Sequence, residues 1–139
     1  APPAIETNGP MTDAVIWAGK VSREELLGAY AHARVFVFPS RFEAFGIVLL
    51  EAAAAGCPAV ATNTSAIPYV VKDGQTGLLF EPENVDDLAR KILLLLHNPS
   101  GARAYGAQAQ ARARADFSWE RSVKKLQALY EDLLTKKTS

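Results

Sequence analysis

RVFVFPSRFEAFGIVLLEAAAAGCPAVAT, residues Arg34–Thr62, decides the fold. It opens with a β-branched and aromatic run, Arg34–Phe38, closed by Pro39, which reads as a buried strand. A helix is expected over about Phe45–Ala55, ending at Gly56. Pro58–Thr62 then reads as another strand. Two glutamates, Glu43 and Glu51, bracket seven uncharged residues inside this stretch.

The pattern continues outward. Upstream, the apolar run Ala14–Ala18 is expected to be a strand. Ser22 followed by Glu25 is a capping-box signature, so a helix starts at Arg23 with Leu26, Leu27, Tyr30 and Ala33 on its apolar face. Downstream come a short helical turn over Ala66–Val71, a DGQTG turn and a strand at Gly77–Phe80. Three helices follow: from Asn84 or Val85 to Leu96, Pro99–Ala115 and Ser118–Thr135. Strands alternating with helices define an α/β domain with a parallel sheet. The first 13 residues, APPAIETNGPMTD, are polar and contain Pro and Gly, as a linker does. Because the chain opens on Ala1, it is expected to begin inside a longer protein.

Composition narrows the function. The chain has 139 residues, 49% hydrophobic and 22% charged, as expected of one globular domain. Fifteen basic residues balance 15 acidic ones, which argues against a nucleic-acid partner held by bulk charge. A single cysteine, Cys57, excludes an intrachain disulfide framework. No apolar run reaches the roughly 20 residues of a membrane span, and no signal peptide is visible. A cytoplasmic location is expected.

In open α/β sheets ligands bind outside the carboxyl ends of the strands. The segment following FVFP is therefore the candidate site. Free amides near Phe45, Gly46 and Ile47 at a helix start favour an anion such as phosphate. Gly46 lets a ligand approach the backbone. Glu51 lies about 7.5 Å further along the helix, where a carboxylate can accept two hydrogen bonds from a vicinal diol. Phosphate first and ribose next is the layout of a nucleotide, with Glu43 at the mouth. A plainer reading fits the spacing too: Glu51 as a buried, paired structural carboxylate and Glu43 as a solvated loop residue.

The longer string favours the nucleotide layout. FVFPSRFEAFGIVLLEAAAAGCPAVAT, then IPYVVKDGQTGLLFEPENVDDLARKILLLL, then FSWERSVKKLQALYEDLL, resembles the C-terminal half of glycosyltransferase family four, retaining enzymes of GT-B architecture. The match runs over about Val15–Leu134. The resemblance implies a partial Rossmann-like parallel sheet of about four strands within residues 14–139, the donor-binding domain. It implies a nucleotide-diphosphate sugar as donor substrate, with no metal or other cofactor. Glu51 would hold the ribose hydroxyls, the Phe45, Gly46 and Ile47 backbone would face the sugar and diphosphate, and Glu43 would contact the donor sugar and stabilise positive character at the anomeric carbon. Ser40 either touches a phosphate or caps the turn after Pro39.

The sequence also departs from the family. Where Gly-Gly and later Pro-Glu are usual, it has Thr64-Ser65 and Pro68-Tyr69. The strand ending Gly-Arg and the lysine-led helix that neutralise the diphosphate are absent, as is the N-terminal acceptor domain. Lys20 reads as a surface charge. Strand order 3-2-1-4-5-6 would leave this chain with strands 3, 4, 5 and 6. Strand Arg34–Phe38 then becomes an apolar edge. Either Ala14–Ala18 closes against it or two chains meet edge to edge as a homodimer.

The remaining candidates read as structural. His32 and His97 lack metal-type neighbours, and Cys57 is a small buried residue. Arg103, Arg112 and Arg114 form a solvated helix face. Trp119, Val123, Leu126, Tyr130 and Leu133 repeat at helical spacing as a packing stripe. The expected function is thus that of a C-terminal glycosyltransferase fragment, inactive alone. The alternatives are a non-catalytic oligomerising or scaffold half-domain and a bare nucleotide-binding module.

Overall fold

A computed structural model of the chain describes residues 15–137. Nine elements follow in order: α1 (Arg23–His32), β1 (Phe36–Phe38), α2 (Ile47–Ala54), β2 (Ala59–Thr62), α3 (Ile67–Val70), β3 (Gly77–Phe80), α4 (Val85–His97), α5 (Pro99–Asp116) and α6 (Trp119–Lys137). The expected linker over residues 1–13 lies outside the described residues.

The three strands form one parallel sheet in the order β1-β2-β3. Val60 pairs with Val37 on one side and Leu78 on the other. Alternation along each strand splits the core in two. Ala59, Ala61 and Leu79 face Leu49 of α2 and Ile67 and Val70 of α3. Val60, Leu78 and Phe80 face Leu95 of α4 and Ala102 of α5. A third cluster, Tyr30, Ala52 and Cys57, fastens α1 to α2. From Ala102, α5 runs on to α2, where Gln110 Nε2 donates to the Ala54 carbonyl at 2.8 Å.

Local signals set the helix starts. Ser22 and Glu25 form the reciprocal capping box. Asn84 and Asn98 cap α4 and α5 by accepting from the amides of Asp87 and Gly101. The Ser118 hydroxyl accepts from the Arg121 amide at the start of α6.

Two expectations fail. No strand forms over Val15–Ala18, the described part of Ala14–Ala18, so the sheet has three strands among the described residues rather than four. Ile16 and Trp17 are exposed, and the run does not close against β1. An apolar run without a neighbouring ladder leaves its amides to water, which favours no strand. The outer edge of β1 is unpaired among the described residues. Arg112 is the second correction. It is not on a solvated face: its Nη1 and Nη2 donate to the carbonyls of Val70 and Tyr69 at 2.9 and 3.0 Å. Its guanidinium also lies 5.1 Å from the Phe117 ring centroid. Arg103 and Arg114 do stay exposed.

The stripe on α6 is not core among the described residues. Trp119, Val123, Leu126, Tyr130 and Leu133 are all exposed. No helix among the described residues is long and apolar enough to cross a membrane.

Candidate functional site

The site begins where β1 stops. Pro39 ends the strand, and the Ser40 hydroxyl donates to the Phe42 carbonyl at 2.8 Å, closing the first turn of the loop. Ser40 thus takes the turn-closing role in this structure. The Glu43 carboxylate accepts from the Phe45 amide at 3.3 Å, and the Glu43 carbonyl accepts from Ala66 at 3.3 Å. The loop after β2 is thereby fastened to the loop after β1.

Gly46 is the N-cap of α2, with φ 87° and ψ 49°. This left-handed conformation suits glycine. A β-carbon there would also lie 3.1 Å from Leu49 Cδ1. The Gly46 carbonyl accepts from Leu49 and Leu50. The amides of Gly46, Ile47 and Val48 have no hydrogen-bond partner among the described residues. Gly46 is buried, whereas the Phe45 and Ile47 side chains are exposed. The site therefore offers backbone at its floor and apolar side chains at its rim.

Glu51 stands one helical turn beyond Ile47, on the flank of α2 that faces α1. It is half-buried, as the plainer sequence reading allowed, and it is paired: Arg23 Nη1 donates to Oε1 at 3.1 Å. Tyr30 is buried with Ala52 and Cys57, and its phenol is pushed up first by burial and then by the Glu51 charge. Cys57 is buried beside Ala52 and its thiol is likewise pushed up by burial, which suits a packing residue and not a nucleophile.

The structure thus gathers Glu43, Phe45, Gly46 and Ile47 at one helix start and sets Glu51 on the same helix. Sequence reasoning missed Arg23, 28 residues away from its partner Glu51. It also missed Arg41, which pairs with Glu83 at 3.7 Å across a cleft of about 410 Å³. Pro39, Thr62 and Phe80 put that cleft at the carboxyl ends of all three strands.

The Tyr69 ring packs on Phe45 and Phe117 with centroids 6.5 and 5.7 Å away. Ser65, in the loop after β2, has φ 51°. The backbone there keeps a left-handed shape without the residue that adopts it most easily.

Comparison with known proteins gives a consistent result. Residues 8–112 match the family model described as glycosyl transferases group 1. The D-inositol 3-phosphate glycosyltransferase of Corynebacterium jeikeium is 41% identical over 110 residues, covering 79% of this chain and 26% of the relative. The O-antigen chain mannosyltransferase B of Escherichia coli is 40% identical over 104 residues, covering 75% and 26%. Among solved structures, sucrose-phosphate synthase from Thermosynechococcus elongatus superposes with a TM-score of 0.82 at 34% identity, covering 91% of this chain and 32% of that one. Anabaena HepE, solved in complex with UDP and glucose, gives a TM-score of 0.68 at 26% identity, covering 80% and 30%. The chain spans about a quarter to a third of the length of these relatives. With these matches and its parallel sheet, the chain belongs to the glycosyl transferases group 1 family, of GT-B type.

Proposed function

We propose that this chain is the donor-binding part of a retaining glycosyltransferase that uses a nucleotide-diphosphate sugar. The observation that carries the reading is the start of α2: three amides without partners, a glycine floor and a carboxylate on either side. The amides of Gly46 and Ile47 would donate to the diphosphate and sugar, aided by the helix dipole. Glu51 would accept from the ribose hydroxyls one turn further on. Glu43, at the mouth, would hold a donor-sugar hydroxyl and place negative charge near the anomeric carbon as the leaving group departs. Catalysis would then rest on positioning and charge stabilisation without a metal. HepE, with UDP and glucose bound, is a relative of similar fold that takes such a ligand.

In this reading the chain acts only with an acceptor-binding domain and the basic residues that clamp the diphosphate, and it works in the cytoplasm. One observation favours a second reading, an oligomerising half-domain: the β1 edge is unpaired among the described residues. Two copies pairing there would make a continuous sheet.

The test is calorimetric titration with UDP, GDP and ADP, alongside Glu51→Ala. Saturable binding weakened by the substitution supports the donor site. No binding at millimolar nucleotide would overturn it for this chain and leave the oligomerising reading.

A further inference from the structure

The Arg23–Glu51 pair is a poor candidate for a stabilising device. The Arg23 side chain is 76% exposed, and ion pairs of that kind contribute little to folding. Its geometry suits a different role. Glu51 is only 19% exposed, and no other hydrogen bond reaches its carboxylate among the described residues. Arg23 is the first residue of α1, directly after the Ser22 cap, so the reciprocal Ser22–Glu25 bonds fix its backbone. A capped helix start therefore presents the guanidinium to one oxygen of the carboxylate. Oε1 keeps a free lone pair and Oε2 keeps both, enough to accept from two adjacent hydroxyls.

We propose that Arg23 is a positioning residue for the ribose of the donor, acting through Glu51; this rests on the donor-site reading above. Arg23 holds the carboxylate in the orientation that two vicinal hydroxyls need, and Glu51 makes the contact. Held in advance, the carboxylate loses less freedom when the ribose binds.

The experiment is a double-mutant cycle read by calorimetry. Native chain, Arg23→Ala, Arg23→Lys, Glu51→Ala and the Arg23→Ala/Glu51→Ala pair are titrated with UDP, GDP and ADP. Whichever nucleotide binds is then compared with its 2′,3′-dideoxy form. Arg23→Ala is expected to weaken binding about three- to fivefold, with part of the loss recovered in Arg23→Lys. The loss should disappear with the dideoxy nucleotide and in the Glu51→Ala background, outcomes that a mere folding defect would not give. Unchanged binding in Arg23→Ala overturns the proposal while leaving the donor site standing. So does a loss of equal size with the dideoxy form. Absence of nucleotide binding, or indifference to Glu51→Ala, overturns the donor-site reading and this inference with it.

Discussion

Gly106 of α5 faces the carbonyl of Gly56 so closely that a β-carbon at position 106 would lie 2.1 Å from that oxygen. The contact joins α5 to the turn that ends α2, where Gly56 itself has φ 75°. Backbone on one side and helix on the other leave no flexible group to give way. Gly106→Ala is expected to destabilise the fold by about 1–3 kcal/mol, seen as a lower urea midpoint. An unchanged midpoint would mean that α5 can lift off at no cost.

Arg112 and Arg114 differ by two positions on α5 and should differ sharply in effect. Arg112→Ala removes two charge-assisted hydrogen bonds to the Val70 and Tyr69 carbonyls and uncovers the Phe117 ring. A loss of about 2–3 kcal/mol is expected. Arg114→Ala, at an exposed position, should stay within about 0.5 kcal/mol. Equal midpoints for the two variants would contradict the assigned contacts.

This contrast marks how far the sequence could be read. Pro39, Gly56 and the Ser22–Glu25 box punctuate the chain locally, and the elements between them fall within a few residues of expectation. β3 was readable as Gly77–Phe80 because an apolar run flanked by turn residues carries its own boundaries. The run at Val15–Ala18 looks similar but needs a partner strand, and it finds none among the described residues. The two arginines are alike in sequence, and only the arrival of α3 at one of them separates their roles. The same holds for Glu51: its place on α2 was legible, whereas its bond to Arg23 depends on how α1 packs.

Ser65 offers a test in the opposite direction. Its φ of 51° costs a non-glycine residue roughly 1 kcal/mol or more. Ser65→Gly relieves that strain but loosens the unfolded chain, so a net gain of a few tenths to about 1 kcal/mol is expected. A thermal midpoint that falls instead would show that the Ser65 side chain contributes more than its backbone costs.

Alkali should weaken the fold through two buried groups. Burial holds the Cys57 thiol above its ordinary value of 9.0 and, with the Glu51 charge, the Tyr30 phenol above 10.0. Between the ordinary and raised values the unfolded chain has lost the proton and the folded chain has kept it. Stability is therefore full below about pH 9 and falls as pH rises through the folded-state values. Cys57→Ala should flatten the onset of that decline in melts from pH 8 to 11, while leaving the later part due to Tyr30. An identical pH profile would assign the alkaline loss to other groups.

Self-association through β1 is testable at one atom. Phe36 donates its amide to Pro58, so the Val37 amide points to the open edge. Light scattering at high concentration is expected to show a dimer that Val37→Pro abolishes, since proline removes an outward donor and leaves the inner ladder. A strict monomer in the native chain would remove the oligomerising reading.

The exposure of α6 has a consequence for how the chain unfolds. Its described residues from Trp119 to Lys136 are exposed, so tertiary packing contributes little to holding it helical. Local pairs such as Lys136 with Asp132 remain, at 2.7 Å. Cooperativity requires shared burial, and α6 shares little with the sheet. Heating should therefore melt this helix as a separate, earlier and broader event, with amide exchange fast along α6 while Val60 and Leu78 in the sheet stay protected. A single unfolding energy would describe the sheet and its packed helices, not the whole chain.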